Sequence, residues 1–268
     1  MDKTTIFGLI LAFAAVLVGA VLDETQLPSL VSLPAFLIVV GGTLGATIIS
    51  NPMENVTRLP GMVKCAFFEH GHKGSELVET FVNLATRARK EGILSLESEA
   101  SKIADPFLRR GIQLIVDGAD EDVIKQVLEA DIAATSERHR AGYSMFDTMG
   151  GFAPTLGILG AVMGLIHVLS KVDDPSKLAG GIAVAFVATL YGVGSANLVF
   201  FPLANKLRLR SEDEEHLRHL MVQGILAIQM GDNPRIIRDK LDVFLSPKQR
   251  ASATTGAKTA APAASEAA

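Results

Sequence analysis

The sequence predicts an all-α membrane protein with four transmembrane helices. A large helical cytoplasmic insertion lies between spans two and three, and a helical cytoplasmic region follows span four. Three observations carry that expectation. First, apolar stretches at residues 4–22, 33–50, 151–170 and 178–204 contain no Asp, Glu, Lys or Arg, and each has about the 20 residues that a spanning helix needs. A charge at mid-helix costs about 2.5–3.5 kcal/mol on insertion scales, so its complete absence is a physical statement. Second, 20% of the residues are charged, yet nearly all of them fall in two blocks, about 51–148 and 205–268. Third, apolar residues inside those blocks recur at helical spacing with no β-branched alternation, so no sheet is expected.

The first span has the outline of a signal peptide, with Lys3 ahead of it and Val18-Gly19-Ala20 as a cleavage-like site. Against that, the run is full length, and an acidic turn (Asp23, Glu24) and a second span follow at once. The link at 23–32 has no Lys or Arg, whereas Arg58 and Lys64 follow span two and Lys206, Arg208 and Arg210 follow span four. The positive-inside rule then puts both termini and both charged blocks in the cytoplasm, in a multi-pass protein of the inner or plasma membrane. Residues 171–177, with Asp173-Asp174-Pro175, form a short outer turn.

The domain plan is spans one and two (1–50), a cytoplasmic helical domain (51–149), spans three and four (150–204), C-terminal cytoplasmic helices (205–246) and a tail (247–268). Within the first block, Phe107, Leu108, Ile112 and Ile115 repeat with helical period, as do Val123, Ile124, Val127, Leu128 and Ile132. Gly92 and Gly118 read as helix stops, with Arg87, Arg89 and Lys90 in the turn before the first. Residues 120–148 are expected to run as one helix into span three. Span four should continue past Pro202 to Gly231, with one more short helix at 233–245. The tail is Ala, Ser, Thr and Lys with Pro262, a composition that cannot bury a core and predicts disorder.

Several function classes are disfavoured. A net charge of −4 supplies no global basic patch, which argues against nucleic acid as a partner. The single Cys65 excludes an internal disulfide and fits a reducing compartment. No nucleotide-binding loop, metal-ligand cluster or nucleophilic triad is present, so neither an enzyme nor a bound cofactor is expected. His70 and His72 fall in a polar turn, and His167 near the outer end of span three. His216 and His219 have helical spacing for a metal, but with charges around them and no Cys nearby a solvated face is the simpler reading.

Spans three and four differ from the other two. Gly157, Gly160, Ala161 and Gly164 form one small-residue stripe on span three, which lets another helix approach closely. Ala185, Thr189, Gly192 and Ala196 share a face of span four. Thr155 and Thr189 therefore project hydroxyls at membrane depth. In the simpler account each bonds its own backbone four residues back while the glycines merely pack helices. Pro154 and Pro202 weigh against that account, because each removes a helix hydrogen bond and leaves a carbonyl to be satisfied otherwise. A freed carbonyl beside a hydroxyl suits a water-lined path or a helix that moves. If the chain helps to move an ion, the titrating group must come from another chain, since its spans hold no acid.

The run APTLGILGAVMGLI, the outer DDP turn, AFVATLYG with the later ANLVFFPLANKL, and the intracellular ARKEGILSLE resemble the MotA/PomA flagellar stator subunits. The resemblance covers nearly the whole chain and implies an ion-conducting unit that turns ion-motive force into torque. It also implies a MotB-type partner, a single-span, peptidoglycan-anchored subunit that supplies a membrane aspartate, and a homopentamer around a partner dimer. Carried over by residue, the family prolines map to Pro154 and Pro202 and the ion-path threonine to Thr189. The charges facing the rotor protein FliG map to Arg89, Lys90 and Glu97. Those three also fit helix-end roles, with Arg89 and Lys90 complementing a C-terminus and Glu97 an N-terminus after an N-cap Ser95.

The sodium-driven branch of the family has a threonine at the ion-selectivity position, where this chain has Ala161. Sodium needs several oxygen ligands to replace its water, and a methyl group offers none. A proton is therefore the expected ion. An ExbB/TolQ-type energiser shares the glycine-rich span pair but has three spans. A secondary transporter usually carries an intramembrane charge and internal repeats, both missing here. A purely structural scaffold would make the prolines and threonines incidental.

Overall fold

The computed structural model describes residues 3–25, 27–68, 74–170, 175–247, 249 and 250, with the side chains of 175–177 left aside. His70, His72, Asp173, Asp174 and the tail from 251 lie outside the described residues. The described secondary structure is helical, and four helical segments are long and apolar enough to cross a membrane: Lys3–Leu22, Leu27–Ser50, and parts of Glu121–Leu169 and Leu178–Gln229.

The helices are α1 (Lys3–Leu22), α2 (Leu33–Phe36), α3 (Gly42–Ser50), α4 (Met53–Phe67), α5 (Gly74–Glu91), α6 (Leu96–Ala100) and α7 (Pro106–Val116). They continue with α8 (Glu121–Leu169), α9 (Pro175–Ser195), α10 (Phe201–Gln229) and α11 (Pro234–Asp242). π turns at Leu37–Gly41 and Ala196–Phe200 join α2 to α3 and α9 to α10. The chain divides into two compact units, Met1–His70 with Glu137–Arg210, and Gly71–Ser136 with Ser211–Ala268.

The first unit holds the spans. Small residues let its helices close: a Cβ on Gly42 would lie 3.2 Å from the Leu156 side chain, and one on Gly160 would lie 3.4 Å from Ile38. Spans two and three therefore pack side by side. Below them α4 is amphipathic; Leu59, Met62 and Val63 pack against a cluster of Phe146, Met149 and Ala204. The Arg210 guanidinium donates to the Cys65 and Phe68 carbonyls and so fills the C-terminal acceptors of α4. Arg208 pairs with Asp147 at 2.8 Å and lies over the Tyr143 ring.

The second unit is an ordinary apolar helical core. Phe81 of α5, Leu108 and Ile112 of α7, Ile124 and Leu128 of α8, Ile225 of α10, and Ile237 and Leu241 of α11 are all buried. Helix starts follow the sequence: Asp105 caps α7 by accepting from the Leu108 N–H at 2.9 Å, with Pro106 next, and Asn233 and Pro234 begin α11 the same way. Gly92 (φ 84) and Gly118 (φ 74) end α5 and follow α7 in the left-handed region. Helix α8 runs unbroken over 49 residues, as expected of the stretch leading into span three.

Candidate functional site

The stripe on span three meets span four of the same chain. A Cβ on Gly157 would lie 2.9 Å from the Ala188 carbonyl oxygen and 3.2 Å from Gly192 Cα. One on Gly164 would lie 3.0 Å from Ala185 Cβ, and one on Gly192 only 2.5 Å from the Ala153 carbonyl oxygen. Backbone rests on backbone here, at a distance only glycine permits. The helix that approaches the stripe is therefore α9 of the same chain, which takes up Gly157, Gly160 and Gly164. Ala161, the fourth member, is half-buried.

The two hydroxyls have different environments. Thr155 is exposed, and its Oγ1 donates to the Phe152 carbonyl, three residues back, at 2.7 Å. Thr189 is half-buried, and its Oγ1 reaches the Ala185 carbonyl, four residues back, only at 3.5 Å. Both therefore make the local bond, but the second is at the limit of one. Thr189 Cα lies against Gly157, and Thr155 stands two positions before that glycine, so both residues flank the same helix crossing.

The prolines are accommodated differently. Helix α8 continues through Pro154, whose ring deprives the Gly150 carbonyl of its donor. The Phe201 ring covers Gly150, where a Cβ would lie 2.5 Å from it. Pro202 follows the π turn Ala196–Phe200, in which the Phe201 N–H reaches back to the Ala196 carbonyl. An extra residue in the turn absorbs the missing donor.

Sequence reasoning missed a further group. The Tyr191 hydroxyl donates to the Leu30 carbonyl and accepts from the Ser32 N–H. Its only signal was a phenol inside an apolar run, where a buried hydroxyl needs a partner.

In the second unit, Arg89, Lys90 and Glu97 are exposed, and among the described residues none of them takes part in an ion pair. Their neighbours behave otherwise. Arg87 pairs with Glu91 at 3.0 Å and with Glu99, and Lys102 reaches Glu99 at 2.9 Å. The hydrogen bond from Lys102, with the nearby Arg87, holds the Glu99 carboxyl below its usual range. Arg87 is raised above its ordinary value, chiefly by its bond to Glu91. The turn between the two sets is fixed by Gly92 and a 3-10 turn at Ile93–Ser95. Ser95 is not the N-cap expected of it: its backbone is already helical (φ −64) and its hydroxyl donates to the Gly92 carbonyl at 2.6 Å. The short 3-10 turn has moved the helix start ahead of it.

Beside these charges a cavity of about 540 Å³ is lined by Glu76, Arg87, Glu99, Lys102 and Asp105 among others. His216 is engaged by the Phe244 carbonyl at 2.8 Å, and His219 faces Glu215.

Residues 99–219 match the MotA/TolQ/ExbB proton channel family, and residues 6–92 match the motility protein A N-terminal family. Motility protein A of Bacillus subtilis is 38% identical over 93% of each chain. Chemotaxis protein PomA of Vibrio alginolyticus is 39% identical over 94% of this chain and 98% of its own. Among solved structures, the flagellar MotAB stator complex of Bacillus subtilis superposes with a TM-score of 0.88 at 37% identity, covering 93% of this chain and 99% of that one. MotAB of C. jejuni superposes equally well at 31% identity. Four apolar spans, two of them closed on glycine, define a multi-pass membrane subunit of the ion-channel and motor class. The chain belongs to the MotA/PomA family of flagellar motor stator subunits.

Proposed function

We propose that this chain surrounds a MotB-type partner in the cell membrane as a homopentamer and conducts protons only together with it. The partner is a single-span subunit, anchored to peptidoglycan, that supplies a membrane aspartate. The observation that carries this reading is the absence of any formal charge from the four spans, since a proton needs a titrating group that the chain does not hold. The solved relatives, both of them MotAB, support the partner class. With both termini in the cytoplasm, as the distribution of Lys and Arg favours, the charged blocks face the rotor.

A proton enters from outside and reaches the partner's aspartate near Thr155 and Thr189, where the long Thr189 bond leaves its hydroxyl free to orient a carboxylate or a water. The Ala161 methyl offers no oxygen to sodium, which favours the proton. Neutralising the aspartate changes its contact with the helix wall, and the ring of subunits moves around the anchored partner. Arg89, Lys90 and Glu97 then push on FliG. Each charge crossing 100 mV releases about 2.3 kcal/mol, while exposed ion pairs are worth about 0–1 kcal/mol, so contacts can be remade at every step.

Thr189→Val keeps the side-chain volume and removes the hydroxyl. The expected outcome is lost swimming with wild-type membrane level and partner co-purification. Normal swimming would take Thr189 out of the ion path.

A further inference from the structure

Tyr191 serves a segment remote from its own helix. Its single phenol oxygen donates to the Leu30 carbonyl at 2.7 Å and accepts from the Ser32 N–H at 3.2 Å. Those groups flank Val31, where the chain has left the 3-10 turn Leu27–Leu30 and not yet entered α2. The break lies at the outer end of the candidate span Leu27–Ser50. Near the outer end of a span, as in the link at 23–32 that precedes residues 33–50, backbone outside a helix is best satisfied by partners within the protein. One hydroxyl satisfies both sides of the gap. Ser32 is itself buried and caps α2 by accepting from the Ala35 N–H at 3.4 Å.

The ring is held as firmly as the oxygen. It packs against Ala35 of α2 and against Val187 and Ala188 of α9. Ala188 is also the residue on which Gly157 and Gly160 of α8 close, and it immediately precedes Thr189. Spans two, three and four therefore meet at the position that presents the Thr189 hydroxyl. Beyond this junction, spans two and four each carry a π turn, Leu37–Gly41 and Ala196–Phe200. Such turns hold one residue more than an α-helix and are frequent at functional sites. The clasp lies just ahead of both.

We propose that Tyr191 is a positioning residue for ion transfer: its hydroxyl locks the head of span two onto α9 and thereby fixes where Thr189 presents its own hydroxyl. This role rests on the ion path through Thr189 and adds the element that holds it in register.

Tyr191→Phe removes one oxygen and keeps the ring. In the full complex with its partner, we would measure membrane level and co-purification, rotation speed against external pH, and amide exchange at Ser32. The expected result is wild-type assembly, Ser32 exchange about tenfold faster, the factor that losing one ordinary hydrogen bond implies, and a slowed pH–speed profile with a displaced midpoint. Tyr143→Phe, which removes the other tyrosine hydroxyl, leaves exchange and profile at wild type. Unchanged Ser32 exchange overturns the clasp. Faster exchange with a wild-type profile, or failure to assemble, assigns Tyr191 a purely structural part and overturns the positioning role. Thr189→Val run in parallel separates the two readings. Its normal rotation removes the ion path and the positioning role together, whereas a stalled Thr189→Val beside a normal Tyr191→Phe overturns the positioning role alone.

Discussion

Arg87 and Arg89 stand two residues apart near the end of α5, yet they meet different surroundings. Arg87 is tied to Glu91 and Glu99, whereas Arg89, like Lys90 and Glu97, is exposed and outside any ion pair among the described residues. Reversing Arg89, Lys90 or Glu97 should therefore leave the melting temperature near wild type, since surface changes of this kind stay within about 0.5 kcal/mol, and should lower swimming speed. Arg87→Glu would set a third carboxylate beside Glu91 and Glu99, and should lower the melting temperature instead. Melting curves and swimming speed measured on the same four variants check this separation.

Glu99 supplies a pH test. Its carboxyl titrates below the ordinary value of 4.5, because the Lys102 hydrogen bond and the Arg87 charge favour the ionised form. A depressed carboxyl contributes stability that is complete above its unfolded value and is lost as the pH falls through the folded one. Glu99→Gln should therefore melt earlier than wild type at neutral pH. The gap should close as the pH drops below 4.5; a gap that persists in acid would mean that charge is not its source.

At the scale of the helix pair, glycine decides how close α8 and α9 can come. A methyl on Gly157 or Gly192 would press on backbone at 2.9 or 2.5 Å, which no side-chain rotation relieves. Gly157→Ala and Gly192→Ala should each destabilise the span pair by about 1–3 kcal/mol, the usual scale of overpacking. Gly41→Ala and Gly180→Ala, which meet nothing within 4 Å, should not. Thermal stability of the four variants in detergent compares them directly.

The small-residue spacing on span three was legible in the sequence, because helical period alone places Gly157, Gly160 and Gly164 on one face. What it faces was not legible, since the pattern says how near a helix can come and not which helix comes. The stops at Gly92 and Gly118 were readable because a left-handed residue after a helix favours glycine. The π turns were not, as nothing in composition distinguishes a five-residue turn from a four-residue one. Ser95 misled for a local reason: the residue type suits a cap, but a preceding 3-10 turn had already begun the helix. Tyr191 passed as one more apolar position because its two partners lie about 160 residues away in sequence and are backbone groups.

For the molecule as a whole, the ion is the open variable that one position addresses. With Ala161 in place of an oxygen-bearing side chain, swimming speed should not vary with external sodium at constant proton-motive force. A sodium-dependent speed would require oxygen ligands from elsewhere in the complex. The uncharged spans carry a consequence for how a cell can handle this protein. Copies awaiting a companion would be electrically silent in the bilayer, so they could accumulate in reserve without short-circuiting the energised membrane, and leakage would become a hazard only at the moment of pairing.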